Sequence, residues 1–258
     1  MNETIKEKDW VLLYFNKKRH YIYRVTETKV NLNEGIVHLD KLLGKRYGDI
    51  EKTHLGVPFR ILKPTIMDII LEKFTRKTQV IYPKDLGYII LKAGIGPGSN
   101  VLEAGTGSGV LTAIIANFVR PNGKVLTFEI RKDLYELAIK NIKKLGLETY
   151  VRFHQADIRD AEIDTDIDAI ILDLPDPWNV ICKISHFLKI GGRIICFLPT
   201  INQIEKTYLA LKEKGFIMIE ASELLERKYE LKKNAIRPKT LMKGHTGYII
   251  SAVKTSHI

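Results

Sequence analysis

The segment Val101-Leu102-Glu103-Ala104-Gly105-Thr106-Gly107-Ser108-Gly109-Val110 decides the fold. Apolar residues lead into an acid, a small residue follows, and three glycines then stand at alternate positions. The apolar run 110–119 that comes next reads as a helix. Together these are a buried strand, a glycine-rich turn and a helix start. Glycine tolerates positive φ and lets backbone approach a ligand where a Cβ would collide. A helix start adds free N–H groups. A nicotinamide dinucleotide would call for G-x-G-x-x-G. Its third glycine would fall at position 110, which is Val110.

Outward from this segment the pattern alternates. Strands are predicted at 100–104, 124–128, 151–154, 168–172, 193–198 and 216–220. Helices are predicted at 109–120, 131–145, 179–188 and 201–214, the third closed by Gly191-Gly192. Such alternation implies an α/β, Rossmann-like, doubly wound and mostly parallel sheet. Residues 221–244 are charged and irregular, and 246–253 read as a final antiparallel strand reached through a long hairpin. Upstream, Pro83 forces Tyr82 into an extended conformation. Residues 78–85 therefore read as a strand-like approach, placed as a lid, into a helix at 84–93.

Residues 1–62 lack helical periodicity. Short strands at 10–15, 20–25 and 35–39, with turns at 16–19 and 31–35, predict a small antiparallel β-domain. Its turns carry Lys17, Lys18, Arg19, Lys41, Lys45 and Arg46, interleaved with Tyr14, Tyr21, Tyr23 and Tyr47. Basic groups contact phosphates and aromatics stack on unpaired bases, so this domain is expected to contact RNA. A connecting helix is expected at 63–77, and a catalytic domain over 78–258.

The formal net charge is +11, which favours a polyanionic partner, nucleic acid before membrane. No apolar run reaches the length of a membrane span, and the charged N-terminus lacks an apolar signal core. Both observations predict a cytoplasmic protein. Cys182 and Cys196 are too few for a disulfide framework, and their apolar neighbours predict two small buried side chains. No metal-ligand spacing is present, so no metal is expected.

Candidate chemistry collects where strands end. In open α/β sheets, ligands bind beyond the carboxyl ends of the strands at the switch point. Four successive strands end at Glu103, Glu129, Asp157 and Asp173. Glu129 stands where a carboxylate accepts from two ribose hydroxyls, and Asp157 could accept from an adenine amino group. Asp173 opens Asp173-Leu174-Pro175-Asp176-Pro177-Trp178, a loop stiffened by two prolines. A carboxylate there could hold an amino group and take up developing charge. Trp178 reads either as a stacking platform or as a core residue.

The E-x-G-x-G-x-G spacing resembles motif I of class I S-adenosylmethionine (AdoMet) methyltransferases. The whole chain resembles the TrmI-type tRNA (adenine-N1) methyltransferases, most closely their archaeal form. The likeness rests on GKRYG (44–48), QVIYPKD (79–85), VLEAGTGSG (101–109), Glu129, LDLPDPW (172–178), LPTINQ (198–203) and GHTGYI (244–249). It implies AdoMet as cofactor, with contacts from Gly105, Thr106, Gly107, Ser108, Gly109, Glu129, Asp157 and Asp173, beside Glu103 at the strand end. It implies Asp173 and Tyr82 as catalytic residues, and a substrate pocket bordered by Tyr82, Gln203 and His245. The implied product is N1-methyladenine at T-loop position 58, with 57 left open as a second target. The implied partners are tRNA and further copies of the chain in a homotetramer, with no membrane or DNA. Intersubunit disulfides described in some archaeal relatives do not carry over, because the two cysteines do not match their positions. The P-D-P-W segment also resembles guanine-N7 methyltransferases and, distantly, amino methyltransferases. A non-catalytic tRNA-binding subunit is the remaining alternative.

Overall fold

The computed structural model describes residues 3–26 and 28–256. The chain divides into two compact units, one up to Phe74 and one from Thr75 on.

The first unit is built from β1 (Trp10–Asn16), β2 (Arg19–Arg24), β3 (Lys29–Leu32), β4 (Gly35–His38), β5 (Ile50–Lys52) and β6 (Pro58–Leu62), followed by helix α1 (Ile66–Lys73). An antiparallel sheet runs β2-β1-β6-β5, and β3 pairs with β4 in a separate hairpin. Alternate residues Val11 and Leu13 point into a core with Ile5, Val37, Phe59 and Ile61. The segment 31–35, expected as a turn, is mostly strand: Asn31 pairs with Ile36 and Leu32 with Gly35. α1 starts on a capping box, in which Thr65 and Asp68 satisfy each other's backbone N–H groups.

Of the basic turn residues, Arg19 pairs with Glu34, Lys45 with Glu51 and Arg46 with Asp49. Lys17, Lys18 and Lys41 make no ion pair with a described residue. The Tyr21 hydroxyl donates to Glu34 and that of Tyr47 to the Trp10 carbonyl, so both serve the fold itself.

The second unit contains α2 (Pro83–Ala93), β7 (Asn100–Ala104), α3 (Val110–Val119), β8 (Lys124–Phe128), α4 (Lys132–Leu145), β9 (Val151–His154), β10 (Ile167–Leu172), α5 (Trp178–Ile184), β11 (Leu188–Leu198), α6 (Ile201–Glu213), β12 (Ile217–Ser222), β13 (Tyr229–Glu230), β14 (Arg237–Pro238) and β15 (Tyr248–Val253). Its main sheet has the order β12-β15-β11-β10-β7-β8-β9. β9, β8, β7, β10 and β11 are mutually parallel, and β15 lies antiparallel between β11 and β12. β7 and β10 are buried along almost their whole length, as a parallel sheet covered on both faces requires. From β7 the chain winds outward through β8 to β9, then returns to β10 and winds the other way. The chain therefore leaves β7 and β10 toward opposite halves of the sheet, and ligands of such sheets bind at this switch point. Among the described residues no helix is long and apolar enough to cross a membrane.

Several sequence expectations need correction. Residues 78–82 form no strand, and α2 starts at Pro83, whose missing N–H costs nothing in a helix's first turn. The helix expected to end at 188 stops at Ile184, and Gly191-Gly192 lie inside β11 rather than closing that helix. A Cβ on Gly192 would come within 2.9 Å of the Asp168 carbonyl oxygen, so this glycine serves strand packing. The segment 221–244 is not wholly irregular: β13 and β14 pair as a short ribbon. Cys196 is buried but Cys182 is exposed, because helical spacing on α5 turns it away from buried Ile181 and Ile184. Trp178 is half-buried at the start of α5 beneath the Lys206 ammonium, not in the core.

Candidate active site

Gly105, Gly107 and Gly109 all adopt positive φ (92°, 55° and 78°). The close approaches they permit are to the protein's own chain. A Cβ on Gly105 would lie 2.1 Å from the Asp173 carbonyl oxygen, and one on Gly109 would lie 3.3 Å from the Ala138 Cα of α4. The loops after β7 and β10 are thus in backbone contact, and the Asp173 N–H donates to the Ala104 carbonyl at 2.9 Å. The Thr106 hydroxyl is buried against that of Thr127 at 2.6 Å. The Ser108 hydroxyl accepts from the Lys77 N–H at 3.2 Å and bonds the Thr78 hydroxyl at 3.1 Å. Fully buried Asn141 donates to the Ser108 and Thr75 carbonyls, which clamps segment 75–78 against the glycine loop.

These loops enclose a recess with two lobes of about 350 and 110 Å³. The larger is the more polar of the two, with Thr78, Gln79, Thr106, Ser108 and Asp173 on its wall. The smaller is apolar, with Phe128, Ile158, Leu174 and Val180, and is edged by Asp157 and Arg159. Gly105 and Glu129 line both lobes. The Glu129 carboxylate accepts from the Gly107 N–H at 2.9 Å and the Arg131 N–H at 3.0 Å. Each oxygen keeps a further lone pair for a hydroxyl. Asp157 is held by Arg159, whose Nε lies 2.9 Å from Oδ1 and whose Nη2 lies 2.6 Å from Oδ2. That pairing keeps the Asp157 carboxyl below its ordinary pKa. The recess thus suits a ligand with a polar head, a diol in the middle and a flat apolar end.

Two carboxylates carry the unusual electrostatics. Asp173 is half-buried, and its carboxylate makes no hydrogen bond to a described residue. Loss of solvation pushes it up to about 6. Glu103 is wholly buried beneath the loop and does not reach the recess. Its Oε2 accepts from the Thr112 hydroxyl at 2.7 Å, while Oε1 has no hydrogen-bond partner among the described residues. Burial pushes Glu103 up to about 7, against the opposing hydrogen bond of Thr112. A carboxyl raised on folding destabilises the fold above its folded pKa, and the penalty fades as pH falls toward the unfolded value. For Glu103 this penalty is on the order of 3 kcal/mol above pH 7. Glu103→Gln should therefore gain stability relative to the parent as pH rises from 5 to 8, read as denaturation midpoints. A pH-independent difference would contradict the ionised form being the strained one.

The family model described as "tRNA methyltransferase complex GCD14 subunit" matches residues 60–245. The chain belongs to the GCD14 family. It is 36% identical to the tRNA (adenine(57)-N(1)/adenine(58)-N(1))-methyltransferase TrmI of Methanocaldococcus jannaschii, over 93% of each chain. Among solved structures it resembles the tRNA (m1A58) methyltransferase TrmI of Aquifex aeolicus, with 33% identity, a TM-score of 0.81, and 99% of this chain and 100% of that one covered. It also resembles a SAM-dependent O-methyltransferase of Thermotoga maritima, with 36% identity, a TM-score of 0.86, and 99% and 96% covered.

In this GCD14-family chain the remaining site candidates lie outside the recess. Tyr82 caps α2, and its hydroxyl meets the Lys243 ammonium, which also sits 4.5 Å from its ring centre. The hydrogen bond from Lys243 draws the Tyr82 phenol below its ordinary pKa. Gln203 belongs to the capping box of α6, and its amide donates to the Pro175 carbonyl at 2.8 Å. It therefore fixes the proline loop from outside rather than lining the recess. His245 bonds Glu223 at 2.6 Å and the Pro199 carbonyl at 3.1 Å, and the Glu223 contact raises its pKa.

Sequence reasoning missed how YPKD and HTGY come together. The Lys84 ammonium donates to Asp85 at 2.7 Å and to the Thr246 hydroxyl at 2.6 Å, and Thr246 donates to Asp85 at 2.8 Å. The signal was present, since both motifs were singled out, but nothing in their spacing says that they touch. Asn141 carried no signal at all.

Proposed function

We propose that the chain is a tRNA (adenine-N1)-methyltransferase that uses AdoMet to methylate a T-loop adenine at position 58, with 57 a possible second target. The observation that carries this reading is the Asp173 carboxylate, which has no hydrogen-bond partner among the described residues, on the wall of the recess shaped by Gly105, Glu129 and the apolar lobe. The printed activities of the similar TrmI proteins support the substrate. The residues present fit AdoMet: Thr78 and the glycine-loop backbone would hold its amino-acid tail, Glu129 its ribose hydroxyls, and Phe128 and Ile158 its adenine.

AdoMet supplies a methyl group on a sulfonium, an electrophile that needs no acid catalyst. The chain's own task is to position the nucleophile and manage its charge. Adenine must leave its stack, at a cost of roughly a few kcal/mol. Asp173 accepts a hydrogen bond from the N6 amino group, which aims the N1 lone pair at the methyl carbon. As N1 takes the methyl group, positive charge develops on the base, and the Asp173 carboxylate offsets it. Tyr82 takes part on the substrate side.

The test is to incubate the protein with unmodified tRNA transcript and labelled AdoMet, then identify and map the modified nucleoside. N1-methyladenosine in the T loop is the expected product. N7-methylguanosine or an O-methylated nucleoside in its place would end this reading.

The same reading makes residues 1–62 an RNA-contacting domain, 63–77 its connecting helix and 78–258 the catalytic part. Lys17, Lys18 and Lys41 support that role. Affinity for tRNA should fall steeply with added salt, because phosphate contacts release counterions. A flat salt dependence in a filter-binding titration would count against it. A cytoplasmic homotetramer completes the proposal. The exposed apolar side chains Leu91, Ile217 and Met218 support self-association, which sedimentation would test.

A further inference from the structure

A second cavity of about 220 Å³ adjoins the recess. Ile81 lines the recess, and the next residue, Tyr82, lines this cavity. Four lysines face it, Lys84, Lys228, Lys239 and Lys243, together with one carboxylate on its wall, Glu226.

The lysines are held unequally. Lys84 forms the floor, with a side chain only 13% exposed. Its ammonium is fixed by Asp85, which is fully buried, and by Thr246. An ammonium has three N–H donors, so one is left to point elsewhere. Lys228 and Lys239 are tied together across the ribbon, the Lys239 N–H donating to the Lys228 carbonyl at 2.8 Å. Lys228 has Glu226 at 3.5 Å, whereas Lys239 makes no ion pair with a described residue. Among the described residues Lys243 makes its polar contacts with the Tyr82 hydroxyl and ring. Four cations thus stand against Glu226 and Asp85. Concentrating like charge around one concavity raises a local positive potential that an anion relieves.

We propose that this cavity is a phosphate site, and that it takes one backbone phosphodiester of the tRNA beside the adenosine delivered to Asp173. Lysine is a point-charge partner suited to a phosphate whose approach direction varies. The single-residue step from Ile81 to Tyr82 sets the phosphate beside the base. This inference rests on the methyltransferase reading of the recess.

The test uses the full chain and unmodified tRNA carrying single methylphosphonate linkages across the T loop, each of which removes one negative charge. The parent should lose about tenfold in affinity at one linkage next to the target adenosine. The double variant K239Q/K243Q should lose roughly tenfold on ordinary tRNA and nothing more at that linkage. Its slope of log affinity against log salt should fall by about one unit or more. Both lysines are exposed, so the variant should fold, and its AdoMet affinity by calorimetry should stay within about twofold of the parent. Wild-type tRNA affinity in the variant, or the same loss as the parent at every linkage, would overturn the proposal. Tight binding of inorganic phosphate alone, undisturbed by tRNA, would assign the cavity to a free ligand and also overturn it. If the parent neither binds nor methylates tRNA, the methyltransferase reading itself fails, an outcome distinct from either of these.

Discussion

Asp173→Ala should lower methyl transfer to tRNA by about 10²-fold or more, while AdoMet affinity moves by no more than a few-fold. The carboxylate stands on the recess wall with no hydrogen-bond donor among the described residues, so its charge is free to act on a ligand. Loss of solvation raises it to about 6, so the ionised form fills in as pH rises through that value. Turnover should therefore fall as pH drops below about 6, where the group becomes a neutral acid that cannot accept from an amino group in the same way. Asp173→Asn keeps the shape and one acceptor but not the charge. It should be slow at all pH values and should lose the acidic limb. The measurements are single-turnover rates across pH, with calorimetry for AdoMet. Full turnover in the alanine variant would remove Asp173 from the mechanism.

Gly105→Ala should abolish AdoMet binding and destabilise the second unit by on the order of 3 kcal/mol. The backbone there has φ of 92°, which a side chain resists, and the added Cβ would lie 2.1 Å from the Asp173 carbonyl oxygen. That neighbour is backbone, so no rotamer change relieves the clash. The loops after β7 and β10 would have to part, which spoils both lobes of the recess at once. Gly107→Ala makes a useful contrast. Its Cβ would press on the Thr78 hydroxyl at 3.2 Å, which can shift, and would make only ordinary contact with the Gly105 carbonyl at 3.9 Å. Its effect should be smaller, read as the AdoMet dissociation constant and the denaturation midpoint. Equal losses in the two variants would mean that backbone conformation, not loop-to-loop contact, is what Gly105 provides.

What could be read from the sequence follows from geometry that is local in the chain. The parallel strands are buried on both faces, so they read as apolar runs that stop abruptly at Glu129 and Asp173. Those stops fix the carboxyl edge of the sheet and hence the crevice. β5 and β6 were harder, because three- and five-residue strands with Lys52, Pro58 and Arg60 carry little periodicity. Gly191-Gly192 looked like a helix stop, since a glycine pair reads the same way whether it ends a helix or lets a strand pass close to a carbonyl. Gln203 and His245 belong to sequence motifs, but their polar groups are spent on Pro175 and on Glu223 with Pro199. The pairing of Tyr82 with Lys243 spans 161 residues, and no pattern of spacing announces contact over that distance.

The placement of β15 has a consequence for the order in which the chain can fold as it is made. β12 is synthesised before β15, yet among the described strands it pairs only with β15. Until residues 248–253 have been made, β11 presents an open edge and β12 has no partner. The five parallel strands can assemble early, but the sheet closes late, and the contacts of Thr246 with Lys84 and Asp85 close with it. An unpaired strand edge is a template for other chains. A nascent chain halted before residue 246 should therefore be aggregation-prone, even though every acid of the recess has already been translated.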